Sequence, residues 1–186
     1  MPAEARITSV WYKQKLFVAL FLLGIGAWFY WDGFIGYPRS NERFLVHQDL
    51  VKNDHEKDWP TVAGQKGWTT EVPEKFHNAG DIRLQWVCGT FASLLGIISL
   101  VYWFTQKSRT LRTDDEAVYS PAGTRVPFQA ITGLGKKNWD AKGLATVLYK
   151  IDGRKGRFVL DDYKFDYEAT HQILTEIEEK LTARVD

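Results

Sequence analysis

Apolar residues along this chain are gathered into two blocks, with mixed charged sequence between and after them. The first block, residues 16–37, reads LFVALFLLGIGAWFYWDGFIGY. Its uncharged stretch, Leu16 to Trp31, is short of the roughly 20 residues that cross a bilayer as a helix, and Asp32 then falls at headgroup depth. Trp28 and Trp31 are expected at the far interface, where amphipathic rings anchor. A cleaved signal peptide is the rival reading, with Lys13 and Lys15 ahead of the apolar run and cleavage near Ala27. The bulky aromatic residues after Ala27 favour an uncleaved anchor instead. The second block, within residues 82–106, runs uncharged from Leu84 to Phe104. In it Gly89 pairs with Ser93, and Ala92 with Gly96, at the spacing that lets helix backbones approach closely. That spacing predicts packing against the first span or against a partner's helix.

The flanking charges predict an orientation. Arg6, Lys13 and Lys15 precede the first span, and Lys107, Arg109 and Arg112 follow the second. The positive-inside rule then puts both termini in the cytoplasm of an inner (cytoplasmic) membrane: residues 1–15 and 107–186 inside, 38–81 outside. In the outer segment Ser40 or Asn41 is expected to cap a helix starting near Glu42, with Phe44, Leu45, Val46, Leu50 and Val51 on its apolar side. The run from Asn53 to Asp58 ends it, and a loop follows in which Trp59, Trp68 and Phe76 dock onto the membrane surface or a neighbouring subunit. Trp11, Trp86 and Trp103 complete a set of tryptophans in or beside the apolar blocks.

After about Thr110 the pattern changes to short alternating runs broken by turn residues, then one amphipathic stretch. Leu111–Thr113, Ala117–Ser120 and Arg125–Phe128 read as strands, with Asp114-Asp115 and Pro121-Ala122-Gly123 as turns. Leu144 to Ile151 alternates, Asp152-Gly153 opens a hairpin turn, and Arg157 to Leu160 returns. Tyr167 to about Leu181 carries Ile173, Leu174, Ile177 and Leu181 at helical spacing, with Asp166 as its cap. The fold class expected is a two-span helical anchor followed by an α+β C-terminal domain. Strands ending in a single helix resemble the pleckstrin-homology-like (PH-like) domains of bacterial membrane-anchored proteins. The resemblance rests on Arg125-Val126-Pro127-Phe128 with Ile131, on Trp139 in the following strand, on the Lys150–Arg157 hairpin and on the closing helix. It implies one curved antiparallel sheet closed by that helix, and a role in assembly or membrane-surface contact.

Composition narrows the chemistry. A formal net charge of +1 excludes the strongly basic balance of a dedicated nucleic-acid binder. The one cysteine, Cys88, sits inside the second block and reads as a small apolar residue. His47, His55 and His77 share the outer segment but form no H-x-x-x-H or H-E-x-x-H pattern, so solvated histidines are expected rather than a metal site. Gly133-x-Gly135-Lys136-Lys137 lacks phosphate-loop spacing and reads as a turn between strands. His171 is expected on the helix surface without an orienting carboxylate. No catalytic residue, metal or cofactor is expected. Lys136, Lys137, Lys142, Arg154, Lys155 and Arg157 are the candidate contacts, clustered at one end of the sheet, for lipid or a partner. The expected partners are other membrane protein subunits and membrane lipids, and the expected role is an accessory or scaffold subunit, with lipid-surface recognition as the alternative.

Overall fold

The computed structural model describes residues 2–183, so the last three residues of the expected inner domain lie outside it. The chain divides into two compact units. One holds residues up to Phe17 and from Leu100 onward; the other is Val18–Ser99.

The first unit begins with a strand that hydropathy blocks do not reveal. β1 (Glu4–Arg6) pairs antiparallel with β2 (Thr110–Thr113), Ala5 facing Leu111. Residues 3–7 are therefore part of the sheet unit: Ala3, Ala5 and Ile7 alternate with Glu4 and Arg6, and Ala5 is fully buried. β2 continues to β3 (Ala117–Tyr119) and β4 (Arg125–Pro127), giving a four-stranded antiparallel sheet. Between β2 and β3, Asp114 Oδ1 accepts the Glu116 and Ala117 amides at 2.9 and 2.8 Å. The Glu116 amide bond first, then the Tyr119 hydroxyl, hold its carboxyl below the ordinary value of 3.8.

A second antiparallel sheet holds β5 (Ile131–Asn138), β6 (Leu144–Ile151) and β7 (Arg154–Asp161). Among the described residues the strands thus form two sheets, where one curved sheet was expected. Gly133 to Lys137 lies inside β5 and is not a turn. The register slips on both sides of Gly133 and Gly135, and glycine tolerates the irregular backbone this needs. Asp152 and Gly153 both have positive φ, 49° and 78°, the requirement of the tight hairpin turn joining β6 to β7. The return strand starts at Arg154, earlier than the pattern suggested, because turn and register carry pairing back to Ile151. Trp139 opens a short helix, α5 (Trp139–Lys142), instead of lying on a strand.

The closing helix, α6 (Tyr167–Thr182), starts where capping chemistry puts it, with Asp166 Oδ1 accepting the Ala169 amide at 3.1 Å. Its Ile173, Leu174 and Ile177 join Leu111, Val118, Val126, Val147, Leu160 and Phe165 in one apolar cluster.

Two long helices run through both units. α1 (Ser9–Trp31) passes through a π-helical turn, Asp32–Gly36, into α2 (Tyr37–Lys52). The helix expected to begin at Glu42 is thus a continuation, and Ser40 and Asn41 cap nothing. Pro38 has no amide hydrogen and crowds the carbonyl one turn back, and the wider π turn relieves both problems without ending the helix. Ser9 to Lys52 is 44 residues of helix, about 66 Å at 1.5 Å per residue, roughly twice the hydrocarbon thickness of a bilayer. α4 (Ala79–Gln106) is the second long apolar helix.

In the helical unit the two helices pack through small residues. A Cβ on Gly26 would collide with Ser93 Oγ, and one on Gly96 would come within 2.8 Å of Leu23. Gly89 faces the Gly26 carbonyl, Ala92 is 8% exposed, and Tyr30 and Thr90 share a hydroxyl hydrogen bond of 2.8 Å. Beyond α2 lies α3 (Trp59–Gln65), a helix where a loop was expected. Pro60 is favourable in its first turn, and Gly67, at φ 67°, takes the left-handed conformation that ends it, the Trp68 amide reaching back to the Ala63 carbonyl at 2.8 Å. The rest of the outer segment is strapped to α2. Asn41 exchanges two 2.7 Å bonds with the His77 backbone, and Arg43 Nη2 donates to the Thr69 and Glu71 carbonyls.

Candidate membrane-surface site

The sheet unit includes the bases of both long helices, and basic and aromatic residues gather there. Thr8 opens α1: its hydroxyl accepts the Trp11 amide at 3.3 Å, and its own amide donates to the Lys164 carbonyl at 2.9 Å. Ile7 bridges to Phe165, the Asp166 amide donates to the Arg6 carbonyl at 2.8 Å, and the Tyr163 hydroxyl donates to Gln14. The β7–α6 loop is thereby tied to the start of α1. At the base of α4, the Trp103 indole donates to the Tyr12 carbonyl at 3.0 Å while its ring packs on Tyr12 at 4.5 Å. Trp11, 4% exposed, meets Tyr102 edge-on at 6.3 Å.

Lys164 stands at the centre of this arrangement. Its ammonium donates to Gln106 Oε1 at 2.7 Å and lies over the Trp11 ring, 4.9 Å from the centroid. Burial holds it below the usual lysine range, and the Arg109 and Lys15 charges push the same way, against Asp161. Arg109 lies between two concavities. One, about 450 Å³, is walled by Arg6, Tyr12, Lys107 and Arg109; the other, about 380 Å³, by Arg109, Arg112, Tyr119 and Ser120. The Tyr12 hydroxyl is buried without a hydrogen-bond partner, and the Arg112 guanidinium lies 4.2 Å over the Tyr119 ring. Guanidinium and ammonium groups beside aromatic walls suit anionic oxygens, and each such charge at an anionic surface contributes about 1 kcal/mol.

The six basic residues singled out from the sequence are not brought together. Lys136, Lys137 and Lys142 lie by the Asn138–Leu144 end of the second sheet, whereas Arg154 and Lys155 lie opposite Ile151 and Lys150. The length of β6 separates these ends, roughly 24 Å at a rise of about 3.4 Å per residue. Arg157 faces Leu148 between them. The hairpin is the reason: residues on either side of a turn sit at one end of a sheet, and residues entering the first strand at the other. Lys136 is ion-paired to Glu178 at 2.6 Å, a bond that raises its pKa.

The tryptophans divide as well. Trp28 and Trp31 are 67% and 56% exposed on α1, and Trp86 stacks on Phe34 at 5.2 Å. Trp59, only 2% exposed, is the buried centre of the outer segment, its indole donating to the Thr70 carbonyl at 2.9 Å and its ring 6.1 Å from Trp68. It presents no docking surface. His171 does have a carboxylate beside it, Asp162 at 3.2 Å, and packs between Trp139 and Tyr167. Among the described residues no three His, Cys, Asp or Glu side chains are grouped as metal ligands.

The strand β1 was available to sequence reading in the alternation of Ala3, Ala5 and Ile7. The Lys164–Gln106–Trp11 contact was not, because its members are far apart in sequence and none carries a local signature. Compared with protein-family models, with curated proteins and with solved structures, the chain shows no match.

Proposed function

We propose that the protein is a non-enzymatic accessory or scaffold subunit of a larger membrane protein complex. In this reading α1 and α4 span an inner membrane, both termini and the sheets lie on the cytoplasmic side, and residues 38–81 lie on the other. The observation that carries it is the pairing of β1 with β2: both helix bases issue from neighbouring strands, each through a connection of two or three residues. A domain whose neighbouring strands lead into both helices, and which is tied to the start of α1 by Thr8, Phe165 and Asp166, is suited to holding a partner near the bilayer. The apolar side chains on the outward faces of α1 and α4 support the spanning assignment, since they need an apolar surrounding. Antiparallel strands followed by a closing helix support the PH-like reading of the domain.

Purification from native membranes in mild detergent, with sizing and mass spectrometry of the intact assembly, tests the proposal. A stoichiometric complex is the expected result, and a lone chain surrounded by lipid overturns it. The concavities beside Arg109 favour a second reading, lipid-surface recognition, which the lone chain would leave standing.

A further inference from the structure

We propose that a cavity in the helical unit, beyond the far end of the apolar run, binds the phosphate group of an anionic phospholipid. This rests on the reading that α1 spans the bilayer. The cavity, about 370 Å³, is walled by Trp31, Arg39, Arg43, Lys66 and Trp68. Its chemistry follows from the sequence of α1 and α2. Trp31, Ile35, Arg39 and Arg43 recur every four residues, and the π turn between Asp32 and Gly36 widens the helix within this stripe. Between Lys15 and Arg39 the chain carries no cation, so Arg39 is the first positive charge past the apolar run. Trp31, 56% exposed, marks the interface depth at which a lipid phosphate sits.

The far wall is supplied by the turn after α3 and is held in place before any ligand arrives. Arg43 Nη2 donates to Thr69 Oγ1 at 2.8 Å and to the Glu71 carbonyl at 2.9 Å. The Arg43 Nε is buried with no hydrogen-bond partner, so the protein compensates this guanidinium only in part. Lys66 lies 4.8 Å over the Trp68 ring. The nearby carboxylates are Glu42, 3.3 Å from Lys66, and Asp32, whose Oδ1 lies beside Gly36. Three cations against two carboxylates, between two indoles at interface depth, fit a single phosphodiester whose acyl chains continue along the exposed apolar face of α1.

The full chain in phosphatidylcholine nanodiscs, titrated with phosphatidylglycerol and read by native mass spectrometry, tests this. Arg39 and Lys66 are exposed, so R39Q/K66Q removes two charges and the surface pair of Lys66 with Glu42 but leaves the Arg43 bonds that hold the turn in place. Wild type is expected to hold one phosphatidylglycerol about 30-fold more tightly than the double variant, from two charges near an anionic headgroup. The charge-conserving R39K is expected to retain binding. Equal binding by wild type and R39Q/K66Q overturns the proposal. Excess inorganic phosphate is expected not to compete; if it displaces the lipid fully, the cavity is a soluble-anion site and the lipid assignment fails. A carbonate wash of native membranes reads the spanning assignment separately. Release of the chain overturns that assignment, whereas retention together with no phosphatidylglycerol preference overturns the cavity alone.

Discussion

In the sheet unit Leu111, Val118, Val126, Ile173 and Ile177 are completely buried, whereas in the helical unit Phe91, Val87 and Ile98 are 66, 65 and 63% exposed. The residue types are the same and their placement is opposite. In the sheet unit apolar side chains, large and small alike, turn inward around a shared core, Ala5 and Ala145 beside Leu111 and Leu160. Along α1 and α4 in the helical unit, Gly26, Gly89, Ala92, Ser93 and Gly96 turn inward, while Phe21, Val87, Phe91 and Ile98 turn out. Each arrangement suits a different solvent. In water, burying bulky side chains drives folding; in lipid that drive between helices vanishes and close backbone approach replaces it.

Substitutions can break this contrast. The largest effect is expected from Leu111→Ala, which opens a cavity where β1 and β2 meet and should cost about 2–5 kcal/mol. Urea unfolding of the detergent-solubilised chain, followed by tryptophan fluorescence, measures it; a loss near zero would mean the sheet core does not exclude water. Next comes Gly26→Val, expected to cost about 1–3 kcal/mol by forcing α1 off Ser93 and Gly89. Its partner, Phe91→Ala, should be nearly neutral in detergent, because that ring has an apolar surrounding either way. Thermal denaturation of the two variants side by side sharpens the comparison: equal losses would show that Phe91 packs against protein and not lipid. The smallest effect is Asp166→Ala, about 1 kcal/mol from the loss of the α6 cap, read as a lowered urea midpoint with an unchanged slope.

Much of this could be read before folding was considered. The two apolar blocks, the Asp152-Gly153 hairpin and the α6 stripe with its Asp166 cap are local patterns, and local patterns have local causes: continuous apolarity, a turn that needs positive φ, and a side chain satisfying free amides. The errors share a different cause. The apolar block ends at Tyr37, and Ser40 and Asn41 have the side chains of a helix cap, so the sequence predicts a new helix at Glu42. The π turn absorbs the proline, and Asn41 pins His77 instead of capping. Trp59 looked like a surface anchor because an indole beside proline in a polar segment has no local sign of what will cover it; Thr70, Trp68 and His47 do so.

The candidate sites show the same division. Periodicity and charge alone yielded two apolar helices, a domain of antiparallel strands and one helix, and the basic residues flanking each helix. Which cations meet was decided by tertiary structure: the hairpin parts Lys136 from Arg154, the pairing of β1 with β2 brings Arg6 beside Arg109, and the α3 turn brings Lys66 to Arg39 and Arg43. Each of those meetings joins residues separated along the chain by many positions. Helical and strand periods report only on the next turn or the next residue, so no repeat within one segment can encode a contact that strand pairing and loop closure create.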